Sequence, residues 1–354
     1  MIDIICGARP NFMKIDPIIR NMDSSLEKRI VHTGQHYDHI MSQSFFDELE
    51  LPKPDTNLEV GSASITVQTA TIMKRYEEIV LGRMPDAVVV VGDVNSTLAC
   101  SLVAVRYGIP VIHVEAGLRS FDRSMPEEIN RILTDQLADL LLITSTEARD
   151  NLLAEGKSSE MIRFAGNPMI DTLFRLLPIA MAGGNQLSEE PFALVTLHRP
   201  SNVDDPDRLS AILEALGGLN DLKVIFPAHP RTLGHIFDWD IAVPDRILIE
   251  KPLSYLNFIR AQAEASVVIT DSGGIQEETS VLGVPCVTVR TSTERPVTLE
   301  LGTNVLCPDV SGIEEAVARQ IENRPERPPK IPLWDGKAGI RIAAFIETFI
   351  GAKR

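Results

Sequence analysis

The chain has 354 residues, 44% of them hydrophobic, which is enough for a full core and too many for one domain of ordinary size. It carries 34 lysines and arginines against 49 aspartates and glutamates, a formal charge of −15. That balance argues against general binding to nucleic acid or to an anionic membrane, although a local cluster of arginines and amides can still hold a small anion.

The opening MIDIICG enters a strand at once, with no basic leader and no long apolar stretch, so the expectation is a cytoplasmic protein with no membrane span. Cys6, Cys100, Cys286 and Cys307 are far apart with no CxxC pair, and read as free thiols of a reducing compartment. Short β-branched runs follow one another between helical segments: IDIIC (2–6), DAVVVVGD (86–93), PVIHVEA (110–116) and DLLLIT (139–144). The pattern restarts with FALVTL (192–197), KVIFP (223–227), RILIE (246–250), SVVITD (266–271) and PCVTV (285–289). Continuous apolar strands alternating with helices mean parallel sheets covered on both faces. The expected fold is therefore α/β, with two Rossmann-like doubly wound domains facing across a cleft. Gly166 and Pro168 interrupt the pattern and place the boundary between domains 1–167 and 168–336. The last segment, 337–354, has a helical stripe at Ile340, Ala344, Ile346 and Phe349, and is expected to pack back on the first domain.

In open α/β sheets, ligands bind beyond the carboxyl ends of the strands, so polar residues just after strands are the candidates. In CGARPNFMK, Arg9 and Lys14 bracket a glycine-bearing turn that is neither a Walker loop nor a GxGxxG fingerprint. Taken alone it reads no better than two surface cations beside a loop. TGQHYDH (33–39) follows the second strand. Asp93 ends VVVVGD, Glu115 ends HVE, and Glu127 and Glu128 open a helix after Pro126. No histidine–acid spacing supports a metal, so acid–base work on a sugar is the better use of these carboxylates. Glu127 and Glu128 would also suit a helix N-terminus for purely structural reasons. A bare Glu115 in an apolar strand end is costly and asks for a purpose. His198 in VTLHRPSN and His229 in FPAHPRT follow the first two strands of the second domain, although a lone histidine is often only a structural hydrogen-bonder. In ITDSGGIQEE, Asp271 ends a strand, Ser272-Gly273-Gly274 turn, and Glu278 lies one helical turn further on. Such a turn suits a phosphate and such a glutamate suits ribose hydroxyls, unless the pair of glutamates is simply solvated. Arg295 in TSTERP could clamp a diphosphate together with Arg9.

These motifs in this order, HVEAGLRS and DSGGIQEE above all, resemble the non-hydrolysing UDP-N-acetylglucosamine 2-epimerases, which have the two-domain glycosyltransferase-B architecture. The resemblance covers almost the whole chain. It implies interconversion of UDP-N-acetylglucosamine and UDP-N-acetylmannosamine through elimination of UDP to 2-acetamidoglucal and re-addition, with no cofactor and no metal. Carried over residue by residue, Asp93, Glu115, Glu127 and His198 fall at catalytic positions. Arg9, Lys14, Ser272, Gly273, Gly274 and Arg295 fall at phosphate contacts, Glu278 at the ribose contact, and Phe258 where the backbone meets uracil. The resemblance also implies a homodimer and a role in supplying cell-surface polysaccharide. Two positions depart from the family pattern, Asn11 and Ser201 standing where glutamate is usual. Many bacterial members bind a second UDP-N-acetylglucosamine as activator. Gln35, Gln68, Arg199 and His229 fit that site, but Asp38 and Val67 do not, so weak or absent activation is expected. A 2-epimerase of a modified sugar, such as a UDP-2,3-diacetamido uronic acid, would share every catalytic residue. The hydrolysing relatives have a different first motif.

Overall fold

The apolar run Ile2–Cys6 forms β1, buried along its whole length, and the turn after it leads straight into helix α1 (Arg9–Asn21). A computed structural model describes residues 1–34, 46, 50, 53–183 and 187–353, with the backbone alone at Arg9 and Lys353. The chain divides into two units, Met1–Thr172 with Pro332–Arg354, and Leu173–Ile331.

The first unit is built on β1, β2 (Lys28–His32), β3 (Thr56–Asn57), β4 (Ala87–Val91), β5 (Val111–Val114), β6 (Leu140–Ile143) and β7 (Ile162–Phe164). Their order is β3-β2-β1-β4-β5-β6-β7, with every neighbouring pair parallel. Ile4 is in register with Ile30 on one side and Val89 on the other. The connections run through α2 (Ile65–Gly82), α3 (Asn95–Arg106), α4 (Pro126–Leu137) and α5 (Thr146–Ala154). Tyr76 of α2 is fully buried and donates its hydroxyl to Asp3 Oδ2 at 2.9 Å, and Arg29 pairs with the same carboxylate.

Pro168 does more than interrupt a pattern. It opens α6 (Pro168–Ala182), since a proline at the first helical position gives up only an N–H that would have had no partner. The division between the units, after Thr172, falls inside this helix. The C-terminal segment completes the first unit. Trp334 Nε1 donates to the Thr144 carbonyl at 2.8 Å, and helix α14 (Ala338–Lys353) lies on α1. The Asp171 carboxylate accepts the first N–H groups of α14, from Ala338 at 3.0 Å and Gly339 at 2.7 Å. A side chain at Gly339 would meet the Pro17 carbonyl oxygen at 2.5 Å, so glycine sets how closely the two helices approach.

The second unit repeats the plan. Its strands are β8 (Phe192–Thr196), β9 (Lys223–Pro227), β10 (Ile247–Glu250), β11 (Val267–Thr270), β12 (Cys286–Thr288) and β13 (Asn304–Leu306), all parallel in the order β10-β9-β8-β11-β12-β13. Helices α7 (Pro200–Val203), α8 (Pro206–Gly217), α9 (Pro230–Asp238), α10 (Tyr255–Glu264), α11 (Gly273–Leu282), α12 (Val297–Glu300) and α13 (Ile313–Glu322) connect them. Alternate residues of β8 face opposite layers: Ala193 and Val195 join Leu209, Ile212 and Leu213 on one side, while Phe192 and Leu194 join Ala261 and Val284 on the other.

Strands β2, β3, β7 and β13 are absent from the apolar runs of the sequence for a physical reason. Three of them are edge or near-edge strands of two or three residues, and β2 begins with Lys28 and Arg29. Short or partly polar edges protect a sheet from further pairing and leave little apolar signal. In each sheet the strand order reverses once, between β1 and β4 and between β8 and β11, and these switch points are where doubly wound sheets open a crevice.

Candidate active site

At the first switch point, the turns after β1 and β4 meet the end of β5. Asn11 accepts from the Gly7 and Ala8 N–H groups, at 3.2 and 3.0 Å, and donates to the Val91 carbonyl at 3.2 Å. A glutamate here has no N–H to give Val91, so the departure at position 11 ties the turn of α1 directly to the end of β4. Lys14 and Glu115 form a buried ion pair. Glu115 has φ of 72°, a left-handed backbone that is costly for a non-glycine residue and points to a functional constraint. Gly92 also has positive φ, and a Cβ there would lie 3.2 Å from Lys14 Nζ and 3.4 Å from Glu115 Oε2. The turn carrying Asp93 therefore packs directly on the Lys14–Glu115 pair.

Asp93 is half-buried and pairs with Arg131 of α4, which also holds Glu128. Glu128 is 1% exposed and accepts from Ser120 N and Oγ and from Phe121 N, between 2.9 and 3.0 Å, so it clamps the loop before α4. Glu127, its neighbour, is exposed in the first turn of the helix. Of this pair it is Glu128 that the fold consumes, leaving Glu127 presented to solvent. Behind these turns, Asp135 accepts from Gly117 N at 3.1 Å and pairs with Arg119 at 2.7 Å. His113 bridges Asp135 Oδ1 at 2.7 Å and the Gly92 carbonyl at 2.8 Å. Burial alone would raise the Asp135 carboxyl, but His113 and Arg119 outweigh it and hold it below the usual range.

At the second switch point, Asp271 follows β11 and Ser272 precedes α11, whose first residues are Gly273 and Gly274. A Cβ on Gly273 would lie 2.6 Å from Glu294 Oε1 and 2.9 Å from Arg295 Nη1. Only glycine lets the Arg295 guanidinium lie against the start of that helix. Arg295 is buried in a run of alternating charges: its Nε is 2.8 Å from Glu277, its Nη1 is 2.5 Å from Glu294, and Glu294 takes Arg290 at 2.8 Å. A helix start and a fixed guanidinium together make a place for an anion. Glu278, four residues beyond Gly274, is 1% exposed and accepts from Tyr255 Oη at 2.9 Å and Gln262 Nε2 at 2.6 Å. Burial pushes its carboxyl up to about 7 against the pull of those two bonds. His198, exposed after β8, places Nδ1 2.9 Å from the buried Asp271 carboxylate.

Among the described residues, no group of three or more His, Cys, Asp or Glu is placed to hold a metal, and no helix is long and apolar enough to cross a membrane.

A family profile described as UDP-N-acetylglucosamine 2-epimerase matches residues 20–347. The chain belongs to that family. Among the epimerases it is similar to, the UDP-N-acetylglucosamine 2-epimerase of Methanocaldococcus jannaschii is 40% identical, covering 98% of both chains. The UDP-2,3-diacetamido-2,3-dideoxy-D-glucuronate 2-epimerase of Pseudomonas aeruginosa is also 40% identical, over 85% of this chain and 86% of that one. A crystal structure of the M. jannaschii UDP-GlcNAc 2-epimerase in complex with UDP-GlcNAc and UDP superposes with a TM-score of 0.90, at 39% identity, covering 98% of this chain and 99% of that one.

Within this epimerase fold the remaining expected site residues are placed as follows. Arg9 opens α1, and its side chain lies outside the described residues, as do Gln35 and Asp38. Phe258 is half-buried in α10, its N–H bonded to the Ser254 carbonyl at 2.9 Å. Gln68 is buried, bonded to the Gly61 carbonyl and to Asn95, which links on to Asn130 and the Asp93 carbonyl. Arg199 donates Nε to the Asp271 carbonyl at 3.0 Å. His229 caps α9, its Nδ1 accepting from Arg231 N at 3.2 Å. Sequence reasoning missed Glu128, Arg131, Asp135, Tyr255, Gln262, Glu277 and Glu294 as supports of the candidate residues. The EE doublets at 127–128 and 277–278 were the available signal, because on a helix two adjacent acids cannot face the same way.

Proposed function

We propose that the protein is a non-hydrolysing UDP-N-acetylglucosamine 2-epimerase, interconverting UDP-GlcNAc and UDP-ManNAc. What carries the reading is the anion cradle of the second unit, a helix start that only glycine can supply beside a fixed Arg295, in a chain whose first unit gathers Lys14, Asp93 and Glu115 after its strands. The cradle at Ser272–Gly274 and Arg295 would hold the diphosphate. Glu278 would take the ribose hydroxyls, and the Phe258 backbone the uracil.

The C1–O bond breaks with its electron pair leaving on UDP, whose charge is met by fixed donors rather than by water. A carboxylate takes the C2 proton, and the C2–H electrons become the second bond of 2-acetamidoglucal. The reverse addition, with a proton delivered to the other face of C2, inverts that centre. Asp93, Glu115 and Glu127 are the acids available for the two proton transfers, and acid–base catalysis of this kind is worth about 10²–10⁴ in rate. Location in the cytoplasm and a homodimer belong to the same proposal, and light scattering of the purified protein tests the second.

The P. aeruginosa relative, at the same identity, supports a second reading in which the substrate is a UDP-2,3-diacetamido uronic acid. Proton NMR in deuterated buffer with EDTA distinguishes the two. The expected result is loss of the C2 proton signal of UDP-GlcNAc together with appearance of UDP-ManNAc. Exchange only with the diacetamido uronate would move the substrate, and exchange with neither would end the proposal.

A further inference from the structure

Asp271 has no assigned part in the reaction proposed above, yet it is the most heavily bonded side chain of the second switch point. It is fully buried. Its carboxylate accepts from His198 N at 3.1 Å, from Arg199 N at 2.9 Å and from Asn202 Nδ2 at 3.1 Å, and it faces His198 Nδ1 at 2.9 Å. Its own carbonyl takes Arg199 Nε at 3.0 Å, and Asn202 also donates to the Val289 carbonyl at 3.0 Å. One residue thus fastens the turn after β8 to the end of β11 and, through Asn202, to the strand edge beyond it. The next residue along the chain is Ser272, where the anion cradle begins.

We infer that Asp271 is the positioning residue of His198: it fixes the ring with its proton on Nδ1, turns Nε2 outward as the working nitrogen, and sets that nitrogen relative to the phosphate cradle. The assignment of the proton follows from the partners. An ionised carboxylate only accepts, so the nitrogen facing it must donate. Burial by itself would raise the Asp271 carboxyl, but the bonds from His198, Arg199 and Asn202 more than offset it and keep the group ionised. The backbone bonds to residues 198 and 199 hold the turn in place, and the Nδ1 contact with Asp271 gives the ring its orientation and tautomer. His198 is 54% exposed in its side chain while its partner is 0% exposed, the arrangement of a reacting group held from behind.

The geometric part of this inference stands without the epimerase reading; its kinetic part rests on that reading. Nitrogen-15 NMR of the ligand-free wild-type protein at pH 8 should show His198 protonated on Nδ1 and bare on Nε2. The opposite tautomer would overturn the inference, whatever the enzyme turns over. For the kinetic part, Asp271→Asn should lower kcat by at least about 100-fold while the UDP dissociation constant changes less than about threefold, since losing the charge behind a catalytic histidine costs up to about 10⁴. The double variant Asp271→Asn/His198→Gln should be little worse than His198→Gln alone, because groups acting as one unit are not additive. If the two losses multiply instead, Asp271 acts independently of His198 and the inference fails. If the wild-type protein binds UDP and shows the Nδ1 tautomer but exchanges no C2 proton, the epimerase reading fails and the positioning role survives.

Discussion

Glu278 is a carboxylate that the fold has made reluctant to ionise. Its ordinary value of 4.5 rises to about 7 because burial outweighs the Tyr255 and Gln262 bonds. Between these values the folded chain holds a proton that the unfolded chain has released. Stability from this group is therefore present in full below about pH 4.5 and is lost as pH rises toward 7. The loss is on the order of 3 kcal/mol. Among the described residues Gln262 Oε1 is buried without a hydrogen-bond partner, so turning that amide over lets it accept from a neutral group at position 278. Glu278→Gln should accordingly be more stable than wild type at pH 8 by about 1–3 kcal/mol, and equal to it near pH 4.5. Urea unfolding at the two pH values reads this, and an equal difference at both would show the raised carboxyl to be wrong. The same substitution should weaken UDP binding, since an amide cannot accept both ribose hydroxyls.

At the scale of elements, helix starts do much of the work. Proline opens α4, α6, α7, α8 and α9, and glycine opens α11. The start of α14 has neither a serine nor a proline; it borrows Asp171 from α6 of the same unit. Burial raises the Asp171 carboxyl, and the bonds from Gly339 and Ala338 pull against that rise. Asp171→Ala should cost about 0.5–2 kcal/mol, as the loss of a helix cap does. The test is a lower urea midpoint with an unchanged slope; a changed slope would mean that the denatured or native state itself had altered. Elements at sheet edges were the least legible in sequence. Thr56–Asn57 and Asn304–Leu306 offer too few apolar residues to stand out, and only their pairing with β2 and β12 makes them strands.

For the whole molecule, the division into units does not follow the order of the chain. The second unit is one continuous stretch, whereas the first is completed by Pro332–Arg354 from the far end of the chain. Removing residues 332–354 should destabilise the first unit selectively, because it uncovers α1 and leaves Asp171 without the N–H groups it caps. Hydrogen exchange followed by mass spectrometry should show lost protection in β1, α1 and α6 and near-wild-type protection in β8 and β11. Uniform protection in both units would contradict the division. The doubly wound class, both strand series and the helical end were readable from apolar runs and period. So were the polar positions just after strands, where Asp93, Glu115, His198 and Ser272 lie. The supports of those residues were not readable, since Arg131, Asp135 and Glu277 carry no signal until folding brings them beside Asp93, His113 and Arg295.

By itself the sequence determined which segments are buried strands, which are helices, and where glycine and charge follow a strand end, because these depend on local periodicity and on residue chemistry. Its motifs were enough to resemble one family. Only the tertiary structure decided that Glu128 and not Glu127 is spent on a loop, that Arg295 lies against Gly273, and that Asp271 holds His198. Those facts depend on side chains brought together from 8, 22 and 73 positions apart. The pattern along a chain carries no record of such distances; strand order and register set them, and those are fixed only when the sheets close their cores.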